Sequence, residues 1–412
     1  MEQLSGQDAS FVYLDTPNTP MHIGSVAIYD PSTAPGGFVR FKDILRHIEG
    51  RLDKARSFRQ KLVRVPFDLD HPYWVEDANF DLEYHVRHIA LPQPGDWRQL
   101  CIQVARLHAR GMDLTKPLWE FNVVEGLDNI PGIPKGSFAL VSKVHHAAID
   151  GMSGVELSAA VHDLEPKEVP EPAPSSWKPE SDPKLAEMLM RTWFNSVTQP
   201  VKFAKTVANT VPGIARLTKE IAGGDVSLKS TRMAPQTIFN GKVGPHRVFD
   251  GVVYSLADIR AIKDRIEGAT VNDVILAIIG GALREYLMGH DALPKPSLTA
   301  MAPISVRADG EKESLGNLVS AMMVQLGTHI ADPAERLRYI HKEVKNSKAM
   351  TNAVGARTLT DYSQFMPAAL AGLGARLYTR LGISNLHSPA FNCVATNVPG
   401  PRVPLYFAGA KQ

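Results

Sequence analysis

The chain has 412 residues, 44% of them hydrophobic and 21% charged, with a formal net charge of +2. That balance excludes a disordered or fibrous chain and leaves no nucleic-acid footprint, and the length exceeds one ordinary core, so two folded domains are expected. The two cysteines, Cys101 and Cys393, each stand without a second Cys or His at metal-ligand spacing, so a reduced protein with no metal site is expected.

Residues 1–8 carry neither a basic nor an apolar stretch of signal type. The most apolar run, 274–283, falls well short of the roughly 20 residues that span a bilayer. A cytoplasmic protein, at most peripheral to a membrane, is expected.

In chain order, 22–29 alternates and is β-rich, which predicts a strand. Residues 41–52 place Phe41, Ile44, Leu45, Ile48 and Leu52 on one helical face, and 100–110 forms a second amphipathic helix. Strands are predicted at 118–124 and 138–144, the latter running into His145. Prolines 166, 170, 172, 174, 179 and 183 then mark a linker over 166–183, which separates a first domain, 1–165, from the rest. Residues 184–222 are amphipathic and basic, with six positive and two negative charges. They predict a crossover segment that either packs one domain on the other or lies at a lipid surface. Pro200 and Pro212 break it. In the remaining domain, 223–412, strands are predicted at 248–255, 298–306, 318–327 and 392–397, and helices at 256–266, 270–287 and 334–348. Mixed α/β content in both halves predicts an α/β fold.

The sequence His145-His146-Ala147-Ala148-Ile149-Asp150-Gly151 follows an apolar strand. Side chains alternate along a strand, so only one of the two histidines can enter a given site, which argues against a metal-chelating pair. Imidazole is the natural base near neutral pH. No Gly-x-Ser-x-Gly elbow occurs, and neither cysteine has a base beside it. The chemistry suggested is direct attack on an activated acyl donor by a hydroxyl that histidine deprotonates. From these residues alone, a core histidine bonded to a turn aspartate is the competing interpretation.

The whole chain resembles the bacterial wax ester synthase/diacylglycerol acyltransferase family, whose signature is HHxxxDG. The resemblance rests on 145–151, on Pro117-Leu118-Trp119, on Asn272-Asp273 and on Asn397-Val398-Pro399-Gly400-Pro401. The opening LSGQDASFVYLDTPNTPMHIG and the stretch Ala302-Pro303-Ile304-Ser305-Val306-Arg307 are also of the family's type. It implies a fold like the chloramphenicol-acetyltransferase superfamily, with two α/β domains and an active-site tunnel at their interface. It further implies acyl-CoA as co-substrate, with no permanently bound cofactor, and diacylglycerol or a fatty alcohol as acceptor. His146 would be the general base beside His145.

Asp150 would be a structural anchor paired with Arg307, and Gly151 a position of close packing. Thr270 to Asp273 has the form of a capping box. Asn272 is therefore a candidate oxyanion donor, although Asn272 and Asp273 could equally only cap and brace the helix. Pro117, Leu118 and Trp119 would line the tunnel or pack the core, and Asn317 and Asn397 resemble positions near the site. Family members usually continue some tens of residues beyond the Asn-Val-Pro-Gly-Pro motif; were that tail absent from the protein, a sheet edge of the second domain would be left unpaired. Two rival readings are a carrier-protein-dependent enzyme of the same superfamily and a non-catalytic acyl-lipid-binding protein. Acyl chain length, acceptor, coenzyme contacts and oligomeric state are not legible in the residues.

Overall fold

The computed structural model describes residues 1–148, 159–170, 177–181, 183–195, 197, 233–305, 319–354, 388–398 and 400–412. The first half opens with strand β1 (Glu2–Gln3) and helix α1 (Gly6–Leu14). Ser5 caps α1 by accepting the Asp8 N–H at 3.1 Å. Then come β2 (His22–Tyr29), α2 (Phe41–Glu49), β3 (Gln60–Val63), β4 (Tyr73–Glu76), the short α3 (Leu82–His85) and β5 (Val86–Ala90). Helix α4 (Trp97–Ala109), β6 (Trp119–Glu125) and β7 (Phe138–His145) complete this half.

The main sheet runs β2-β7-β6-β5, with β7 antiparallel to both neighbours and β5 parallel to β6. Strand β7 is a near-continuous apolar run because both of its faces are covered. On one face Ile44 and Ile48 of α2 pack with Phe121, Val123 and Leu140. On the other, Leu100, Val104 and Leu107 of α4 pack with Val124, Ala139 and Val141. Leu100 is fully buried, and truncating such a side chain to alanine costs about 2–5 kcal/mol. A small sheet, β1-β4-β3, lies beside them.

The second half contains α5 (Leu256–Lys263), α6 (Val271–Gly289), β8 (Thr299–Ser305), β9 (Val319–Gln325), α7 (Pro333–Val354) and β10 (Cys393–Val394). Strand β8 is central, antiparallel to β9 and parallel to β10. Leu276 of α6 and Ile340 and Val344 of α7 cover Ala300, Met322 and Val324. Gly280 is required where α6 crosses the sheet, since a Cβ there would lie 2.3 Å from the Leu326 carbonyl oxygen.

The architecture is the mixed α/β fold expected. Two of the expected strands differ. Residues 248–255 form no strand, and Val248 and Val253 are almost fully exposed. Their alternating pattern suits a strand, but no described strand offers the ladder partner that its backbone groups need. The strand expected at 392–397 shortens to Cys393–Val394. The described residues of the 166–183 segment carry neither helix nor strand, and Val169 and Trp177 pack on the first half.

The last residues form a hairpin, β11 (Tyr406–Phe407) with β12 (Ala410–Lys411), that packs on the first half. The Tyr406 and Asp163 backbones exchange hydrogen bonds of 2.9 and 2.8 Å, and those of Lys411 and Asp30 exchange bonds of 3.0 and 2.7 Å. Phe407 is fully buried among Tyr29, Ile48 and Phe138.

Candidate active site

His145 ends β7 and His146 opens the 3-10 turn His146–Ala148. The His145 N–H donates to the Leu118 carbonyl on the β6 side at 3.0 Å, and the His146 N–H donates to the Met21 carbonyl on the β2 side at 2.9 Å. The sheet therefore grips the pair from both sides.

His145 is fully buried. Its Nδ1 accepts the Ala147 N–H at 3.1 Å, so the ring proton sits on Nε2, which donates to Asp15 Oδ2 at 3.2 Å. The same carboxylate oxygen accepts the Met21 N–H at 3.0 Å. Asp15 thus holds both His145 and the backbone that anchors His146. Both nitrogens of His145 are committed, which makes it a positioning residue.

His146 is half-buried, with its ring stacked on Phe11 of α1 at 4.4 Å between centroids and 14° between planes. Its imidazole makes no hydrogen bond to any described residue. Burial, and secondarily the neighbouring His145, hold its pKa below the ordinary histidine value. It is therefore neutral at physiological pH, with a ring nitrogen able to accept a proton.

An apolar cavity of about 370 Å³ lies along the sheet face beside this turn. Val144 and Ala148, which bracket His146 in sequence, line it, together with Leu118 and Trp119. Ser25 and Ser142 satisfy each other at 2.5 Å across its wall. Its far end reaches Tyr29, whose hydroxyl bonds His162 Nε2 at 2.8 Å. From His145 to Phe138, which pairs with Tyr29, is about 24 Å of strand at roughly 3.4 Å per residue.

Leu118 and Trp119 are also core residues. Trp119 Nε1 donates to the Phe58 carbonyl at 2.9 Å and the ring stacks on His85 at 4.7 Å. The Pro117 carbonyl accepts the Trp119 N–H at 3.0 Å, and Pro117 is outside the cavity lining. The capping box expected at Thr270 is present. Thr270 Oγ1 accepts the Asp273 N–H at 3.2 Å, and Asp273 Oδ2 accepts the Thr270 N–H at 2.8 Å. Asp273 Oδ2 also lies 3.0 Å from His341 Nδ1, so this fully buried carboxylate braces α6 against α7.

The side chain of Asn272, the second residue of α6, makes no hydrogen bond among the described residues, and no described contact joins it to His146. Asn397 is exposed, next to Val398 at the cavity. Asp150, Gly151, Arg307 and Asn317 lie outside the described residues. Sequence reasoning assigned no role to Phe11 or Asp15. An acidic residue ending a helix before Thr-Pro, just ahead of the strand paired with the histidines, was the available signal.

Residues 4–275 match the wax ester synthase/diacylglycerol acyltransferase catalytic domain, and 315–411 match the WS/DGAT C-terminal domain. O-acyltransferase WSD of Acinetobacter baylyi is 33% identical over 422 residues, covering all of this chain and 85% of the relative. A Mycobacterium tuberculosis protein named for diacylglycerol O-acyltransferase activity is 34% identical over 413 residues, covering all of this chain and 79% of its own length. The solved wax ester synthase/diacylglycerol acyltransferase from Marinobacter aquaeolei VT8 superposes with a TM-score of 0.63 at 29% identity, over 99% of this chain and 84% of that one. With a neutral, pinned histidine beside an apolar cavity and relatives along its whole length, the chain belongs to the wax ester synthase/diacylglycerol acyltransferase family and is an acyltransferase.

Proposed function

We propose that the chain transfers a long-chain acyl group from acyl-CoA to the hydroxyl of diacylglycerol or a fatty alcohol, with His146 as general base. The observation that carries this reading is the half-buried His146 ring, free of hydrogen-bond partners among the described residues, between Val144 and Ala148 of an apolar cavity's lining, where burial lowers its pKa. His146 takes the acceptor hydroxyl proton as that oxygen bonds to the thioester carbonyl carbon. The C–S bond then breaks and the proton passes to the departing CoA sulfur. The acyl chain lies in the cavity, whose lining is mostly apolar and in which the Ser25 and Ser142 hydroxyls hydrogen-bond to each other. Asn272, with its carboxamide uncommitted, is the donor proposed for the developing oxyanion.

Contact with a lipid surface fits the helical turns at 185–195. There Met190, Trp193 and Phe194 are 71%, 68% and 63% exposed. No described helix is long and apolar enough to cross a membrane.

The test is CoA release from palmitoyl-CoA with diacylglycerol or hexadecanol, comparing the protein with His146→Ala. Acceptor-dependent release that falls by roughly 10²–10⁴ in the variant supports the reading. Equal release from both proteins overturns it.

A further inference from the structure

On the face of the main sheet opposite the apolar cavity, a groove of about 660 Å³ runs between α4 and residues 246–250. Three arginines line it: Arg98 and Arg106 from α4, and Arg247 from the crossing segment. Arg98 and Arg106 are exposed and form no ion pair among the described residues. They stand about 12 Å apart along the helix axis at 1.5 Å per residue. Helix α4 itself contains no acidic residue.

The single acid in the lining, Asp250, is already engaged. Its Oδ1 accepts Trp97 Nε1–H and the Gly251 N–H, both at 2.8 Å, with Cys101 Sγ at 3.8 Å. Those hydrogen bonds hold its carboxyl below the usual range. Trp97 and Phe249 add aromatic surface to the groove.

Two contacts lead from the groove toward the histidines. Arg247 Nη2 donates to the Asn18 carbonyl at 2.5 Å, in the loop that runs from Asp15 to Met21. At the last turn of α4, His108 meets His22 edge-on at 4.7 Å, and the His108 carbonyl lies 2.9 Å from His22 Nε2. His22 pairs with His145 across the sheet. A cationic groove thus begins beside the residues that position His146 and extends along α4, about 18 Å long.

A ligand that matches this layout carries several phosphates and an aromatic base at one end of a long arm and its reactive group at the other. We propose that the groove binds the nucleotide end of the acyl-CoA donor, with Arg98 and Arg106 taking its phosphates and Arg247, whose guanidinium already donates to the Gly244, His246 and Asn18 carbonyls, adding positive charge at the groove's wall. This rests on the reading that the donor is a CoA thioester. Arginine suits the role because its planar fork matches phosphate oxygens and it stays charged at all working pH values. The arm would pass the end of the sheet at His22 and present the thioester to His146, with the acyl chain continuing into the cavity on the opposite face.

The test uses Arg98→Glu and Arg106→Glu, exposed positions where charge reversal removes no ion pair among the described residues. Binding of adenosine 3′,5′-bisphosphate is measured by titration calorimetry. In parallel, kcat/KM is measured for palmitoyl-CoA and for S-palmitoyl-N-acetylcysteamine, a thioester without a nucleotide. The expected result is a tenfold or greater loss of bisphosphate affinity in each variant. The preference for palmitoyl-CoA over the truncated thioester should fall by a similar factor. Unchanged affinity, or no binding of the bisphosphate to the parent, overturns the proposal. The calorimetric arm needs no turnover, so it decides the groove's role even if the transferase reading itself fails.

Discussion

Asp15 Oδ2 lies 3.2 Å from His145 Nε2 and 3.0 Å from the Met21 backbone nitrogen, and the Met21 carbonyl in turn accepts the His146 N–H. One carboxylate at the end of α1 therefore fixes the tautomer of the first histidine and the backbone position of the second. An aspartate 130 residues upstream thereby positions the His145-His146 pair.

Removing that carboxylate as Asp15→Ala leaves His145 Nε2–H and the Met21 N–H without an acceptor. The variant is expected to lose about 1–3 kcal/mol of stability, read by denaturant unfolding. A displaced His146 should lower kcat by roughly 10²-fold. Asp15→Asn, which keeps an acceptor oxygen, should recover part of both losses. Wild-type kcat in Asp15→Ala would refute the positioning role.

Burial keeps the His146 pKa below the ordinary 6.5, so the base is lost only as pH falls through that lowered value. The acid limb of kcat/KM should therefore have an apparent pKa below 6.5. Phe11→Ala opens one ring face to water and should move that limb upward, toward 6.5. A limb that stays in place would show that the stacked ring does not contribute to the shift.

The cavity passes Ala27 between Ile23, near the histidines, and Tyr29 at its far end. Ala27→Phe should obstruct it there. Activity on palmitoyl-CoA is expected to fall at least tenfold relative to a short-chain acyl-CoA, with the alcohol-length profile unchanged. If the alcohol profile shifts and the acyl profile does not, the cavity holds the acceptor.

Asn272→Ala should cost about 10²–10³ in kcat if the carboxamide meets the oxyanion, with little loss of stability. Its neighbour supplies the contrast. Asp273→Ala removes the capping box and the bond to His341, and should destabilise the fold. A normal kcat in Asn272→Ala would leave Asn272 as part of the helix end only.

His22 and His47 are buried as neutral rings, and burial lowers the pKa of each to about 4. As pH falls below the ordinary value of 6.5, the unfolded chain takes up these protons before the folded one does. Their contribution is thus present above pH 6.5 and is lost progressively down to about pH 4. The melting temperature should decline over that window. His47→Gln, which can still donate to the Val161 carbonyl that His47 meets at 2.7 Å, should make the decline shallower.

The sequence by itself determined the elements that local pattern specifies. Strands β2 and β7, helices α2 and α4, and the Thr270 capping box all follow from apolar period and terminal chemistry, which need no distant partner. The HHxxxDG signature likewise pointed to the family and to the base proposed here, because it is contiguous in sequence. Tertiary structure alone decided which groups surround the two histidines. Asp15 and Phe11 reach the histidines only because β2 pairs with β7 and brings α1 over their turn. The cavity wall and the arginine groove are assembled from segments more than a hundred residues apart. The strand expected at 248–255 does not form, because a strand exists only where a ladder partner satisfies its backbone, and that is a property of the whole fold.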